Sequence, residues 1–292
     1  MTLEIVLQSI YTCVSSVYKS VRFSYHRFRE LRRYGNYYFP YREELTGQRV
    51  YILANGPSLN KDLENLLKDN TFEKSIKCVT NFFANSDYFC KLKPSFYILA
   101  DPKFFRGAIY ERENLLVKKI NEVVSWPMTL FVVNWGESLV KEIISNPNIT
   151  IKSISRLKFD GPERNRFRYY KKGWAVPLFV NVLMMAEYVL LNMGCKDIRL
   201  YGVEHTFFEG MTVDDNNHVC ILEKHHYGEK YTVKIDCNGH YYTTAGWLMD
   251  KYLTFKEHEI MRGYSDYLGA QIVNCTKGSL IDAYIRLSQI EK

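Results

Sequence analysis

Two periodicities alternate along most of the chain. Short apolar runs occur at 49–54, 76–80, 96–100, 129–134, 149–153, 198–202 and 271–274. Runs of this length, edged by turn-forming residues, predict buried strands. Helical spacing fills the intervals at 58–68, 110–123, 136–145, 176–193, 248–268 and 279–290. Strand–helix alternation predicts an α/β fold, with a Rossmann-like, mostly parallel sheet and helices on both faces. The segment 207–247 breaks this rhythm, being polar, aromatic and weakly periodic. It reads as a lid or acceptor-binding insertion over the strand ends.

The N-terminal pattern differs. Leu3, Leu7, Ile10, Val14, Val17, Val21 and Phe28 recur at alternating spacings of four and three, with Ser24 in the one gap. That is a heptad seam. Lys19, Arg22, Arg27, Arg29, Arg32 and Arg33 crowd its second half, against the single acid Glu30. The pattern predicts a basic amphipathic helix over 1–34 and a linker over 35–47, where Gly35, Pro40 and Gly47 fall. Three partners suit such a helix: its own domain, a second copy in a homo-oligomer, or an anionic membrane surface. The strict 3.5-residue period favours helix–helix packing.

In parallel sheets the ligand crevice lies outside the carboxyl ends of the strands. The first apolar run enters Tyr51-Ile-Leu-Ala-Asn-Gly-Pro-Ser-Leu59, a small-residue turn opening a helix. Such a turn is where α/β proteins hold phosphate. It is neither G-x-G-x-x-G nor a P-loop, so it points to a nucleotide but not to a nicotinamide cofactor or P-loop ATP. The strand-end candidates are Asn55, Gly56 and Ser58, then Thr80 and Asn81, Asp101, Asn134, Glu204 with His205, and Thr276, Gly278 and Ser279. Turn formation alone also places such residues at strand ends.

Composition narrows the partners. A net charge of +7 suits anionic ligands or surfaces. The high aromatic content, Tyr 23 and Phe 17, serves either ring stacking or a large core. Basic residues outside 19–33 and 156–172 are dispersed and no nucleic-acid-binding module appears, which argues against a nucleic-acid partner. Cysteines at 13, 78, 90, 195, 220, 237 and 275 form no C-x-x-C, as expected of reduced thiols in the cytoplasm. No apolar run approaches the roughly 18–20 residues of a membrane span, and no signal-peptide pattern opens the chain.

Five segments together resemble a known family. Ala54-Asn-Gly-Pro-Ser-Leu59 resembles the A-G-N-G-P-S-L opening of the family 42 bacterial sialyltransferases. Val79-Thr-Asn81-Phe-Phe83, Ile98-Leu-Ala-Asp101-Pro-Lys-Phe-Phe105, Gly194-Cys-Lys-Asp-Ile-Arg-Leu-Tyr-Gly202-Val and Ile272-Val-Asn-Cys275…Ser279-Leu are similar to that family's later strand motifs, in the same order. Gly202-Val-Glu-His-Thr-Phe207, with Gly210, also resembles the G-V-D-H-x-F…G of a broader superfamily. That superfamily includes flagellin-glycosylation and surface-polysaccharide proteins, and enzymes like 6-hydroxymethylpterin diphosphokinase.

The resemblance implies a GT-A-like domain that takes a CMP-activated acidic sugar, sialic-acid-like or Kdo-like, as donor. It implies inverting transfer to a bacterial surface glycan without a metal or other cofactor. It places cytidine monophosphate on Asn55, Gly56 and Ser58, and the ribose, phosphate or donor sugar on Asn81 and Asp101. Gly278 and Ser279 would offer a helix N-terminus to an anion. Thr206 stands nearest to the family's leaving-phosphate tyrosine, and Asn238-Gly-His240-Tyr-Tyr-Thr-Thr244 matches the context of its catalytic histidine. The place implied is cytoplasmic, at the inner face of the bacterial plasma membrane if the chain is peripheral.

Inverting transfer needs a base for the acceptor hydroxyl, and histidine titrates in the right range. His240 is the first candidate and His205, with Glu204 to orient it, the second. The basic run Arg156, Lys158, Arg164, Arg166, Arg168, Lys171 and Lys172 could hold an anion or be a solvated loop. Two rivals stand beside this reading. One is a Mg²⁺-dependent diphosphokinase-like enzyme using Asp101, Glu204, Asp214 and Asp215. The other is a non-catalytic assembly scaffold.

Overall fold

The computed structural model describes residues 3–35, 39, 41–105, 111–159, 161–225, 228–235 and 239–290. It begins with helix α1 (Leu3–Tyr34). Strand β1 (Arg49–Leu53) follows, then α2 (Leu59–Leu66), α3 (Asn70–Lys74) and β2 (Ile76–Thr80). Next come α4 (Tyr88–Leu92), β3 (Phe96–Leu99), α5 (Glu111–Val123), β4 (Met128–Val133), α6 (Glu137–Ile143) and β5 (Ile149–Ile154). Two helices, α7 (Glu163–Lys171) and α8 (Val182–Asn192), return the chain to β6 (Asp197–Tyr201). A hairpin unit of β7 (Thr212–Val213), β8 (Val219–His225) and β9 (Gly228–Val233) precedes α9 (Thr244–Tyr267) and β10 (Gln271–Asn274). The last elements are β11 (Ile285–Arg286) and α10 (Leu287–Ile290).

Eight parallel strands form one sheet in the order β11-β10-β6-β1-β2-β3-β4-β5. All seven strands expected from apolar runs are present. They read as continuous apolar runs because a parallel sheet is covered on both faces. Helix α8 is apolar all round and packs against β2, β3 and α9, so nearly its whole surface is buried. The insertion is a three-stranded antiparallel unit with its own small core of Val219, Ile221 and Trp247.

Three expectations are corrected here. The helix expected at 279–290 is a loop followed by β11 and the four-residue α10. Arg286 holds the loop by donating to the carbonyls of Thr276, Ser279 and Ile281 at 3.2, 2.6 and 3.1 Å. Gly278 and Ser279 therefore open no helix. The basic run, read as an anion site or a solvated loop, is largely helix α7, and Lys171 and Lys172 lie over the rings of Tyr41 and Trp174. Residues 41–47 are tied to the domain, through Tyr41 N to Lys171 O at 2.9 Å, Arg42 N to Asn192 O at 2.7 Å and buried Leu45.

The N-terminal helix forms as expected, but its seam does not pack on the domain. Leu7, Ile10, Val14, Val17, Val21 and Phe28 are each more than half exposed, at 54–64 %. The face that docks carries Phe23, whose ring packs on Phe159 and Tyr169 at 5.1 and 5.2 Å. On the same face Glu30 accepts from Asn134 Nδ2 at 3.1 Å and Ser155 Oγ at 2.6 Å, and Arg27 covers Trp174 at 4.2 Å. Specific polar and ring partners thus chose a face that the apolar period does not mark.

Candidate active site

The chain leaves β1 toward β2–β5 on one side and returns to place β6 on the other. The β1/β6 gap is therefore the topological switch point, where such sheets bind ligands. Register pairs Leu53 with Tyr201, which brings the turn 54–58 level with 202–205. Ala54 N donates to Tyr201 O and Gly56 N to Gly202 O, each at 2.9 Å.

Glu204 fills this turn. Its Oε1 accepts from Ser58 N at 2.7 Å, at the start of α2. A Cβ on Gly56 would stand 1.5 Å from Glu204 Oε2 and 2.6 Å from Gly202 O, so only glycine fits. The helix N-terminus expected to take a phosphate already holds a carboxylate, which satisfies the same N–H and dipole. Burial, opposed by a hydrogen bond from Ser58 and reinforced by Glu204, raises Asp62 above the ordinary carboxylate range. A second anion here would meet like charge.

The crevice instead lacks donors. Glu204 Oε2, Asn81 Oδ1 and Thr80 Oγ1 are buried with no hydrogen-bond partner among the described residues. Asn55 Nδ2 donates to Thr80 O at 2.9 Å and ties the β1 turn to the end of β2. Buried acceptors without partners cost about 1–3 kcal/mol each. Asn81 and His205 at this edge have φ of 46° and 54°, in the left-handed region that non-glycine residues seldom adopt, as do Lys93 before β3 and Asn217 in the hairpin. Two bare acceptors and a hydroxyl suit a ligand that brings N–H and O–H donors, such as ribose hydroxyls or a base amine.

Beside this crevice runs a chain of titratable groups, buried at His258, Tyr284 and Glu187 and half-buried at His205. His205 Nε2 lies 3.1 Å from His258 Nε2 and 3.2 Å from Asn181 Nδ2. His258 Nδ1 lies 3.0 Å from the Tyr284 hydroxyl, which donates to Glu187 Oε2 at 2.8 Å. Asn181 Oδ1 accepts from Leu183 N and Met184 N, so its amide N–H groups face His205. Burial, then the charge of Lys251, lowers His205 to about 3, and burial lowers His258 as well. Burial also lifts Glu187 to about 8 against its bond from Tyr284.

This chain can take two polarities, the first of which turns His205 Nε2–H toward the Asn181 amide as well as toward His258. With Glu187 ionised, Tyr284 donates to it, His258 Nδ1–H donates to Tyr284, and His205 Nε2–H donates to His258. His205 Nδ1 then carries a free electron pair. With a proton on Glu187 every bond reverses, and His258 Nε2–H and the Asn181 amide share the one electron pair of His205 Nε2. Taking a proton at His205 Nδ1 converts the first state into the second while both imidazoles stay neutral.

The remaining candidates are dispersed. The Glu204 carboxylate engages Ser58, so the expected pairing with His205 is replaced by the His258 and Asn181 contacts. Asp101 is exposed and accepts from Lys103 N at 2.9 Å, capping its own turn. Thr206 is half-buried, and its carbonyl accepts from Glu209 N at 3.2 Å. Ser279 donates to Val203 O at 2.7 Å and accepts from Asn274 Nδ2 at 2.9 Å, which locks the closing loop. Gly278 adopts φ 74° in that loop. His240 is exposed, between β9 and α9, and Asn238 beside it lies outside the described residues. Asp214 accepts from Asn216 N and His218 N at the hairpin turn. Among the described residues no group of three or more His, Cys, Asp or Glu could hold a metal ion.

Sequence reasoning missed His258, Tyr284, Glu187 and Asn181. Their signals were present. His258 occupies a 4-3-4 buried stripe with Thr254, Met261 and Ser265, where an apolar residue is expected. Glu187 is one carboxylate inside the apolar run of α8. Asn181 is the N-cap of that helix.

No known protein-family model matches the chain, and no curated protein matches it. Among solved structures it is similar to the MAf glycosyltransferase from Magnetospirillum magneticum AMB-1, with a TM-score of 0.50 and 15 % identity. The match covers 87 % of this chain and 36 % of that one, so the chain spans about a third of its neighbour's length. At that identity the likeness establishes a shared Rossmann-like fold.

Proposed function

We propose that this chain is a glycosyltransferase that moves an acidic sugar from a CMP-activated donor to a glycan, by single displacement with inversion. The observation that carries the reading is the convergence, at one switch point, of donor-seeking buried atoms with the His205 relay. The fold shared with a glycosyltransferase and the resemblance to the sialyltransferase motifs support it from two sides.

In this reading Asn81, Thr80 and Glu204 hold the nucleoside by its hydroxyl or amine donors. Gly56 lets that ligand and Glu204 share the turn. His205 Nδ1 removes the proton of the acceptor hydroxyl as its oxygen attacks the anomeric carbon. The sugar–phosphate bond breaks and CMP departs with the bonding pair. The proton equivalent passes through His258 and Tyr284 to Glu187. His205 thus takes the base role for which His240 was the first candidate. The phosphate is expected toward the lid, because Glu204 occupies the α2 terminus.

A thermal-shift panel of CMP, CDP, UDP, GDP and ATP, with and without Mg²⁺, tests the donor class. CMP without metal should raise the melting temperature most, since ligand at about 100 times its Kd adds about 2.7 kcal/mol. A shift seen only with ATP and Mg²⁺ would replace this reading with pyrophosphoryl transfer.

A further inference from the structure

The face of α1 opposite its docking contacts is a finished amphipathic surface. The exposed seam from Leu7 to Phe28 is widened by Tyr11, Tyr18 and Tyr25, which repeat every seven residues and are all exposed. At 1.5 Å per residue the stripe is about 30 Å long. Arg32 continues the tyrosine column, and Arg22 and Arg29 flank it, all exposed. Arg29 and Arg32 lie over the rings of Tyr25 and Phe28 at 5.8 and 4.8 Å.

Charge decides what covers this stripe. The helix carries two acids, Glu4 at its first turn and Glu30, and Glu30 faces the domain, accepting from Asn134 and Ser155. The exposed face is therefore positive. A parallel pairing of two copies sets arginine against arginine, and an antiparallel pairing meets the same arginines with an apolar half holding only Glu4. Neither supplies the opposite charges that register a coiled coil. An anionic lipid surface supplies them along the whole stripe, and tyrosines suit the headgroup level. No helix among the described residues is long and apolar enough to cross a membrane. We infer that α1 lies in the plane of an anionic bilayer, its Leu7–Phe28 stripe among the acyl chains and Arg22, Arg29 and Arg32 at the headgroups.

Vesicle flotation of the full chain tests this independently of any catalytic activity. The vesicles are phosphatidylcholine alone, or with 30 % phosphatidylglycerol. The chain should float with the anionic vesicles and stay behind with the neutral ones. Raising salt from 50 to 300 mM should weaken binding. Arg22→Glu, Arg29→Glu and Arg32→Glu should each weaken it by at least about fivefold, from about 1 kcal/mol per basic residue at such a surface. Val14→Asp with Val21→Asp should weaken it tenfold or more at an unchanged melting temperature, because both positions are solvent-exposed. Light scattering decides against the other occupant. The inference is overturned if the chain ignores anionic vesicles at 50 mM salt. It is equally overturned if the chain is an oligomer in solution that the valine variants, or the arginine variants should the valine pair alter folding, convert to monomer.

Discussion

The two edges of one parallel sheet are built differently. At the strand starts, charges are paired. Asp197 takes Arg49 Nε and Arg199 Nε at 2.7 Å each, and Lys77 Nζ donates to the carbonyls of Glu73 and Ser75 at 2.8 and 2.9 Å. Burial pushes the Asp197 carboxyl up, but the bonds from Arg199 and Arg49 hold it below its ordinary range. At the strand ends, Thr80, Asn81 and Glu204 keep bare buried atoms, and Asn81 and His205 keep strained backbone. A satisfied edge contributes stability. An unsatisfied, strained edge loses it, and such an edge persists where a ligand completes it. The contrast predicts that removing a paired charge at the starts lowers stability and leaves ligand binding alone, while removing a bare acceptor at the ends weakens binding and leaves stability nearly unchanged.

The largest effect is expected at the relay. His205→Ala should lower kcat by about 10²–10⁴-fold with little change in donor Kd, the scale of a lost general base. His258→Ala and Glu187→Gln should lower kcat as well, because each interrupts the transfer that lets His205 accept a proton while staying neutral. The pH–rate profile sharpens the point. With Glu187 held up to about 8, the base-competent state fills as pH rises through that value, so activity should climb toward alkaline pH rather than follow an ordinary imidazole. A profile whose acidic limb is abolished by His240→Ala would return the base to His240. Stability carries the opposite sign. A carboxyl raised in the folded state stabilises fully below its unfolded pKa and progressively less as pH rises toward about 8. Glu187→Gln should remove that decline from a series of melting temperatures.

The next effect probes the crowding at the switch point. Gly56→Ala drives a methyl into Glu204 and should cost about 1–3 kcal/mol in chemical denaturation, as overpacking does. Removing the carboxylate in Gly56→Ala/Glu204→Ala should recover part of that loss, with Gly202 O keeping the remainder. Strictly additive losses would mean that the carboxylate does not occupy the turn.

The contrast between edges rests on a third pair. Asp197→Ala strands Arg49 and Arg199 and should cost about 1–3 kcal/mol, below a fully buried pair because all three side chains reach solvent. Nucleotide affinity should not change. Asn81→Gly relieves the positive φ and deletes a bare acceptor, so stability should move by under about 1 kcal/mol while nucleotide binding weakens. The two edges would lose their distinction if both variants changed melting temperature and affinity alike.

How much of this was legible in sequence follows from the range of each interaction. Apolar runs at 49–54 or 198–202 announce buried strands because burial on both faces is written into consecutive residues. Their order in the sheet places Asn55, Asn81 and Glu204 at one edge by topology alone. What a side chain does there depends on partners far away in the chain. Glu204 reaches Ser58, 146 positions off, and His205 reaches His258, 53 positions off. Neither separation leaves a periodic trace. The seam of α1 was legible as a stripe but not as a solvent-facing one, because Phe23 and Glu30 dock through partners at Phe159 and Ser155. The 279–290 helix failed because Arg286, inside it, bonds three carbonyls of the preceding loop.

The nucleoside site proposed at the strand-end edge would be completed by ligand donors. Isothermal titration of CMP in EDTA, into the wild type and into Glu204→Gln, addresses it most directly. Metal-free CMP binding is expected, weakened about tenfold or more in Glu204→Gln, with the folded structure retained. Equal affinity in the two proteins, or no CMP binding in either, would contradict it.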